Sequence, residues 1–196
     1  MKKPKDERTL VLVKPDGVIR GLVGEVIMRF EKRGLKIIAL KMVWPTSEHI
    51  NKHYPSHNEW FESVGSRTKE FFQGKNIDVN EHFGTENPAE IGKQVKSWLL
   101  DYMTVGPVVA MVIEGMHAIT TVRKLVGHTY PIEALPGSIR GDFSVDTPSA
   151  ANVEKRVVKN IVHASGNDAE ASHEIEHWFS PEEINDYKRS DEDIMF

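Results

Sequence analysis

The 196-residue chain contains no cysteine, which removes disulfide staples and thiolate chemistry together. It also lacks any apolar run long enough to cross a bilayer; the first one, residues 9–13, is broken at once by Lys14 and Asp16. The opening Met1-Lys2-Lys3-Pro4-Lys5-Asp6-Glu7-Arg8 is too polar for a signal peptide, so a cytoplasmic location is expected. Positive charge is not in excess: 25 Lys and Arg stand against 29 Asp and Glu, a net −4. That balance gives no general attraction to nucleic acid or anionic lipid, so neither is expected as a partner, and a polyanion needs a local basic cluster. No Gly-x4-Gly-Lys-Ser/Thr sequence occurs, which excludes a P-loop as a phosphate cradle. Internal repeats and low-complexity segments are absent too.

What is present reads as an ordinary folded domain, with 39% apolar and 28% charged residues. Residues 9–13 are β-branched and apolar, a strand pattern. Gly17 and Gly21 frame a loop, after which Val23, Val26, Ile27 and Phe30 recur at helical spacing up to a stop at Gly34. Residues 35–43 predict a second strand, 46–53 a short helix ended by Pro55, 107–113 a third strand, and 118–126 a helix stopped by Gly127. Residues 160–163 predict a fourth strand and 168–179 a helix. Ser180-Pro181-Glu182-Glu183 is a capping box opening one more short helix. The order β-α-β, β-α-β predicts an α/β (α+β sandwich) architecture: a ferredoxin-like βαββαβ fold with an antiparallel four-stranded sheet.

Between Tyr54 and Tyr102 lies additional helical sequence. Trp60, Phe61, Val64, Phe71 and Phe72 mark one helix, and Asn87-Pro88 opens another with Ile91, Val95, Trp98, Leu99 and Tyr102 on its apolar face. It is too small for an independent core, so residues 1–196 are expected to form a single domain with a helical insertion at about 64–96.

The chemistry concentrates in Asn160-Ile161-Val162-His163-Ala164-Ser165, where an apolar pair delivers a histidine to a strand end. An oriented imidazole titrating near neutrality serves as a nucleophile or a proton shuttle. By itself such a histidine does not differ from a bland surface or core residue. Its company is Lys14-Pro15-Asp16-Gly17, Arg20-Gly21-Leu22-Val23-Gly24-Glu25, Gly106-Pro107-Val108-Val109-Ala110-Met111 and Pro136-Gly137-Ser138-Ile139-Arg140-Gly141-Asp142-Phe143. With these motifs in this order, the chain resembles the nucleoside diphosphate kinase family over most of its length.

That resemblance implies a ping-pong transfer of the γ-phosphate of a nucleoside triphosphate to a nucleoside diphosphate through a phosphohistidine at His163. Glu174 matches the acceptor that orients the ring, and Ser165 a neighbouring hydroxyl. Lys14, Arg123 and Arg140 match phosphate-binding cations, Thr129 a hydroxyl contact to phosphate, and Asn160 with Lys14 the contacts to the sugar hydroxyls. Tyr54 matches an active-site tyrosine near the phosphates. Trp60, ahead of Phe61, stands where aromatic rings sandwich the base, a mode tolerant of base identity. Mg²⁺ is implied as a cofactor entering on the nucleotide, with no all-protein metal site. A homo-oligomer (hexamer, tetramer or dimer) is implied as well, with the loop 131–136 and Ile194-Met195-Phe196 as contacts.

The pattern departs in three places. Gly166 stands where many members carry an aspartate, and Ser56 near a position that is often acidic; Asp168 is a candidate substitute. The insertion is longer than in compact members, and residues 144–159 are extended. Two rival readings compete. His173-Glu174-Ile175-Glu176-His177 is a literal H-E-x-x-H, which on a helix presents two zinc ligands and a general base, but no third ligand stands out downstream. Ferredoxin-like sheets also carry RNA-recognition domains, yet the ribonucleoprotein signature and the basic charge are missing.

Overall fold

A computed structural model describes residues 4–195; Phe196, invoked above as an oligomer contact, and Met1–Lys3 of the N-terminal reading lie outside the described residues. In chain order the elements are β1 (Glu7–Val13), α1 (Pro15–Ile19), α2 (Val23–Lys32), β2 (Lys36–Val43), α3 (Ser47–His53), α4 (Asn58–Gly74), α5 (Val79–Phe83) and α6 (Pro88–Thr104). Then follow β3 (Val108–Gly115), α7 (Ala118–Val126), α8 (Ile139–Phe143), α9 (Pro148–Val153), β4 (Val162–Ala164), α10 (Asp168–Trp178) and α11 (Glu192–Met195). The chain divides into two compact units: residues 1–44, 106–145 and 160–196 form one, and residues 45–105 with 146–159 the other.

The first unit holds the sheet, in the order β2-β3-β1-β4 with every neighbouring pair antiparallel. This is the ferredoxin-like arrangement. The central strands β1 and β3 pair from Glu7↔Gly115 to Val13↔Val109, which explains why β3 is buried along its whole length. On one face Val11, Val13, Val109, Met111 and Ile113 pack against Val26 and Phe30 of α2 and Val122 and Val126 of α7. Burying four to five such side chains contributes on the order of 10 kcal/mol before the entropy of ordering is subtracted. The stop of α2 follows from Gly34, at φ +82°: its N–H bonds the Glu31 carbonyl while Leu35 N–H reaches Phe30, a Schellman closure that a side chain at this φ would strain.

Three local expectations change. The loop expected between Gly17 and Gly21 is helical in its first part: Pro15–Ile19 form the short helix α1, with Pro15 at its first turn where a missing N–H is harmless. The fourth strand begins at Val162 rather than residue 160, because Ile161 sits at φ +70° inside a turn. The capping box at Ser180 is formed, but it closes only a single 3₁₀ turn, Pro181–Glu183.

The second unit is built on α4 and α6, which cross backbone to backbone. A Cβ at Gly65 would lie 1.8 Å from the Pro88 oxygen, and one at Gly92 2.1 Å from the Phe61 oxygen, so only glycine permits this approach. Phe72, Val79, Phe83 and Ile91 form a small buried cluster, with Trp98 stacked on Phe83 at 5.5 Å. In residues 146–159, Arg156 pairs with Asp146 at 2.5 Å and Asp146 also accepts from the Lys159 N–H.

Candidate active site

The site grows from the end of β1. Lys14 follows the last β1 residue and is buried; its N–H donates to the Ile161 carbonyl at 2.7 Å, while Ile161 N–H donates to Asp16 Oδ2 at 3.1 Å. This reciprocal pair joins the Lys-Pro-Asp-Gly turn to the segment ahead of β4. Asp16, to which the sequence reading gave no role, holds that junction; its place inside the motif was the available signal. Between the two bonds Ile161 forms a tight turn, with Val162 N–H on the Asn160 carbonyl at 2.7 Å. A β-branched residue at φ +70° stores roughly 1–3 kcal/mol, held in place by the surrounding contacts.

Arg140, on α8 and buried, clamps the same turn. Its Nη2 donates to the Val162 carbonyl at 2.8 Å, Nε to Asn160 at 3.3 Å and Nη1 to Gly127 at 2.9 Å. Lys14 Nζ donates to Asn160 Oδ1 at 2.8 Å, and Asn160 Nδ2 to the Thr129 carbonyl at 2.8 Å. Lys14, Asn160, Thr129 and Arg140 are therefore one hydrogen-bonded group. Burial, and then the neighbouring Arg140 charge, lower the Lys14 pKa to about 7, with Asp16 opposing the shift. Two buried cations facing each other favour an anion between or beside them.

His163 lies two residues beyond the turn, opposite Leu12 in the β1–β4 register. The chain returns in α10, capped by Asn167 Oδ1 on the Glu170 N–H, and brings Glu174 to the ring. His163 Nε2 is 2.9 Å and 3.0 Å from the two Glu174 oxygens. Ser165 Oγ donates to Glu174 Oε2 at 2.6 Å and itself accepts from Leu10 N–H at 3.2 Å. A carboxylate can only accept, so in the neutral ring Nε2 carries the proton and Nδ1 the lone pair.

The same contacts dispose of the metalloprotease reading. Glu174 is buried against His163, whereas His173 is exposed and stacks on His177 at 6.3 Å. The carboxylate that zinc hydrolysis needs is committed to the histidine. Arg123 is exposed in the last turn of α7, and Thr129 is exposed beyond it. Tyr54 and Trp60 belong to the second unit, where their rings are 6.4 Å apart and Phe61 meets Trp60 edge-on at 5.6 Å. At Gly166 the backbone N–H donates to Glu170 Oε2 at 2.8 Å, and Asn167 Nδ2 to Glu170 Oε1 at 2.9 Å. The carboxylate beside Gly166 thus comes from Glu170, not Asp168; its third helical position was the missed signal.

Fold and site together define an α+β protein with a buried cationic, anion-seeking cluster next to an oriented histidine. The nucleoside diphosphate kinase family model matches residues 7–74 and 72–184. The chain is 52% identical to a nucleoside diphosphate kinase of Pyrobaculum aerophilum over 91% of this chain and 97% of that one. A crystal structure of an NDP kinase from the same organism superposes with a TM-score of 0.90 at 50% identity, covering 92% of this chain and all of the other. A Borrelia burgdorferi nucleoside-diphosphate kinase, solved as a transition state mimic with bound vanadate and ADP, gives 0.77 at 38% identity over 95% and 94% of the two chains. The chain belongs to the nucleoside diphosphate kinase family and is an enzyme of that activity. Among the described residues no helix is long and apolar enough to cross a membrane.

Proposed function

We propose that this chain moves the γ-phosphoryl group of a nucleoside triphosphate to a nucleoside diphosphate by way of His163. In the first half-reaction Nδ1 attacks the γ-phosphorus, an N–P bond forms, the bond to the β-phosphate oxygen breaks, and the diphosphate leaves. In the second, a β-phosphate oxygen of the acceptor attacks the phosphohistidine and the N–P bond breaks. The observation that carries this reading is the double contact of His163 Nε2 with Glu174, itself held by Ser165. It keeps the proton on Nε2 and stabilises the ring as it gains positive character.

Lys14, Arg140 and Arg123 neutralise phosphate charge, and Thr129 supplies a hydroxyl. Lys14 and Asn160 bind the sugar hydroxyls, Tyr54 stands near the phosphates, and Trp60 stacks on the base. Polyanion binding suits a lysine whose pKa burial and Arg140 have lowered to about 7, because an incoming phosphate restores its proton. The donor set fits a metal that arrives with its substrate, since cations and neutral groups dominate and Glu174 is already engaged. Mg²⁺ entering on the nucleotide would supply charge neutralisation to the phosphates. Glu170, whose oxygens accept from the Gly166 N–H and Asn167 Nδ2, would be the carboxylate nearest Gly166 to hold a water of such an ion.

We further read residues 1–196 as one kinase domain with an insertion at about 64–96, working in the cytoplasm as a homo-oligomer. Support for self-association comes from apolar side chains left in solvent: Ile132 and Leu135 in the loop 131–136, Ile194 near the C-terminus, and Leu40 and Met42 on edge strand β2 with Trp44 just after it. The test is incubation with γ-labelled ATP and Mg²⁺. An acid-labile, alkali-stable label on the protein is expected, discharged by GDP and absent in His163→Ala. A folded parent that takes up no label contradicts the covalent route.

A further inference from the structure

Helix α6 carries a buried lysine for which the reaction above has no use. Lys96 is 5% exposed, and its Nζ donates to the carbonyl oxygens of Asn51 at 3.3 Å, Tyr54 at 3.1 Å and Pro55 at 3.1 Å, and to Ser56 Oγ. The Phe61 ring lies 5.9 Å from the ammonium. Every oxygen it meets is neutral. With no carboxylate acting on it among the described residues, burial holds its pKa below the ordinary lysine value.

A buried charge without a counter-ion persists only where fixed dipoles replace its water. The dipoles here belong to the end of α3 and the residues just beyond it. A helix leaves its last carbonyls without intrahelical partners, and their negative ends suit a cation. Three consecutive residues, 54 to 56, turn an oxygen toward one nitrogen, which sets the path of the chain there. That path fixes Tyr54, whose ring lies edge-on to His53 at 4.6 Å and 6.4 Å from Trp60. Helix α4, bearing Trp60, starts at Asn58, two residues after the last clamped oxygen.

We infer that Lys96 is a positioning residue for nucleotide binding: its ammonium holds residues 51–56 so that Tyr54 and Trp60 are presented in the geometry that grips the substrate. The inference rests on the roles proposed above for Tyr54 and Trp60. It makes the helical insertion part of the substrate site without any insertion residue on α6 touching substrate. A lysine that merely supported the fold would change stability and leave the affinity of the folded enzyme alone.

The test compares variants of the full chain with GDP as acceptor and ATP as donor. Lys96→Met keeps the length and removes the charge; KM for GDP is expected to rise about tenfold with kcat within about twofold of the parent. Lys96→Arg, which keeps the charge, is expected to recover most of that loss. A folded Lys96→Met enzyme with unchanged KM overturns the inference, whatever its melting temperature. If Lys96→Met does not fold, Ser56→Ala carries the test: removing one of the oxygens is expected to raise KM about two- to threefold, and no change overturns the inference. Trp60→Ala run in parallel separates the two levels. If it raises KM while Lys96→Met does not, the inference alone fails; if Trp60→Ala also leaves KM unmoved, the proposed base contact fails first.

Discussion

Two lysines of this chain are almost equally buried, Lys14 at 6% and Lys96 at 5% exposure, and they live in opposite electrostatic settings. Lys14, in the sheet unit, faces a second cation, Arg140, and its pKa falls to about 7. Lys96, in the helical unit, faces no charge among the described residues and is wrapped by oxygens of residues 51, 54, 55 and 56. Burial depresses both. The like-charge neighbour distinguishes them, and it is the physical mark of a site that expects an anion from outside. A cradle of neutral oxygens marks a clamp that is complete within the protein.

The comparison breaks most visibly at Lys14. Lys14→Met is expected to lower kcat/KM by about 100- to 1,000-fold, since in the proposed mechanism it withdraws a preorganised cation from the transferring phosphate. The sign of its titration gives a second readout. A lysine whose folded pKa lies below its unfolded value is under-protonated in the native state between about pH 7 and its ordinary range. Anion binding restores the proton there, and stability of the free enzyme rises with pH across the same window. Calorimetry of ADP binding at pH 8 in buffers of different ionisation enthalpy should therefore show proton uptake in the parent and its loss in Lys14→Met. Uptake that survives the substitution assigns the proton elsewhere.

Smaller effects sharpen the same contrast. Glu174→Gln retains hydrogen bonding but removes the charge facing Nε2, so phosphoenzyme formation in rapid quench should slow by about 100-fold, while nucleotide affinity stays near that of the parent. An unchanged rate would return Glu174 to a purely structural role. Trp60→Ala should weaken GDP, ADP and CDP together by about tenfold, the loss of one stacking contact. A loss confined to one base contradicts stacking.

Much of the fold was legible because its signals are local. α2 follows from apolar periodicity, β1 from its β-branched apolar run, β3, α7 and α10 were placed within a few residues, and Gly34 and Gly127 mark the stops of α2 and α7. The fourth strand was misplaced by two residues because hydrophobicity at Ile161 and Val162 looks continuous, while the turn at Ile161 exists only through Arg140, Asp16 and Lys14. The short helices α1, α5 and α9 carry too few residues for a periodic signal. In the site, the motif residues could be named from their order, and the eleven-residue separation of His163 and Glu174 suited a strand-to-helix return. Lys96 could not be named, because nothing in a helical Lys-x-x-Lys distinguishes a solvated ammonium from one enclosed by a loop forty residues away.

By itself the sequence determined the element order, the absence of a P-loop or thiol chemistry, and the set of residues able to handle phosphate. Those properties depend on side-chain identity and short-range spacing. Tertiary structure alone decided which lysine would meet a like charge and which would meet carbonyls, and that Glu170 rather than Asp168 would stand beside Gly166. It also decided that Glu174 would turn to His163 rather than join His173 and His177. Burial and neighbouring charge are properties of packing between distant segments, and they give chemically identical side chains different tasks.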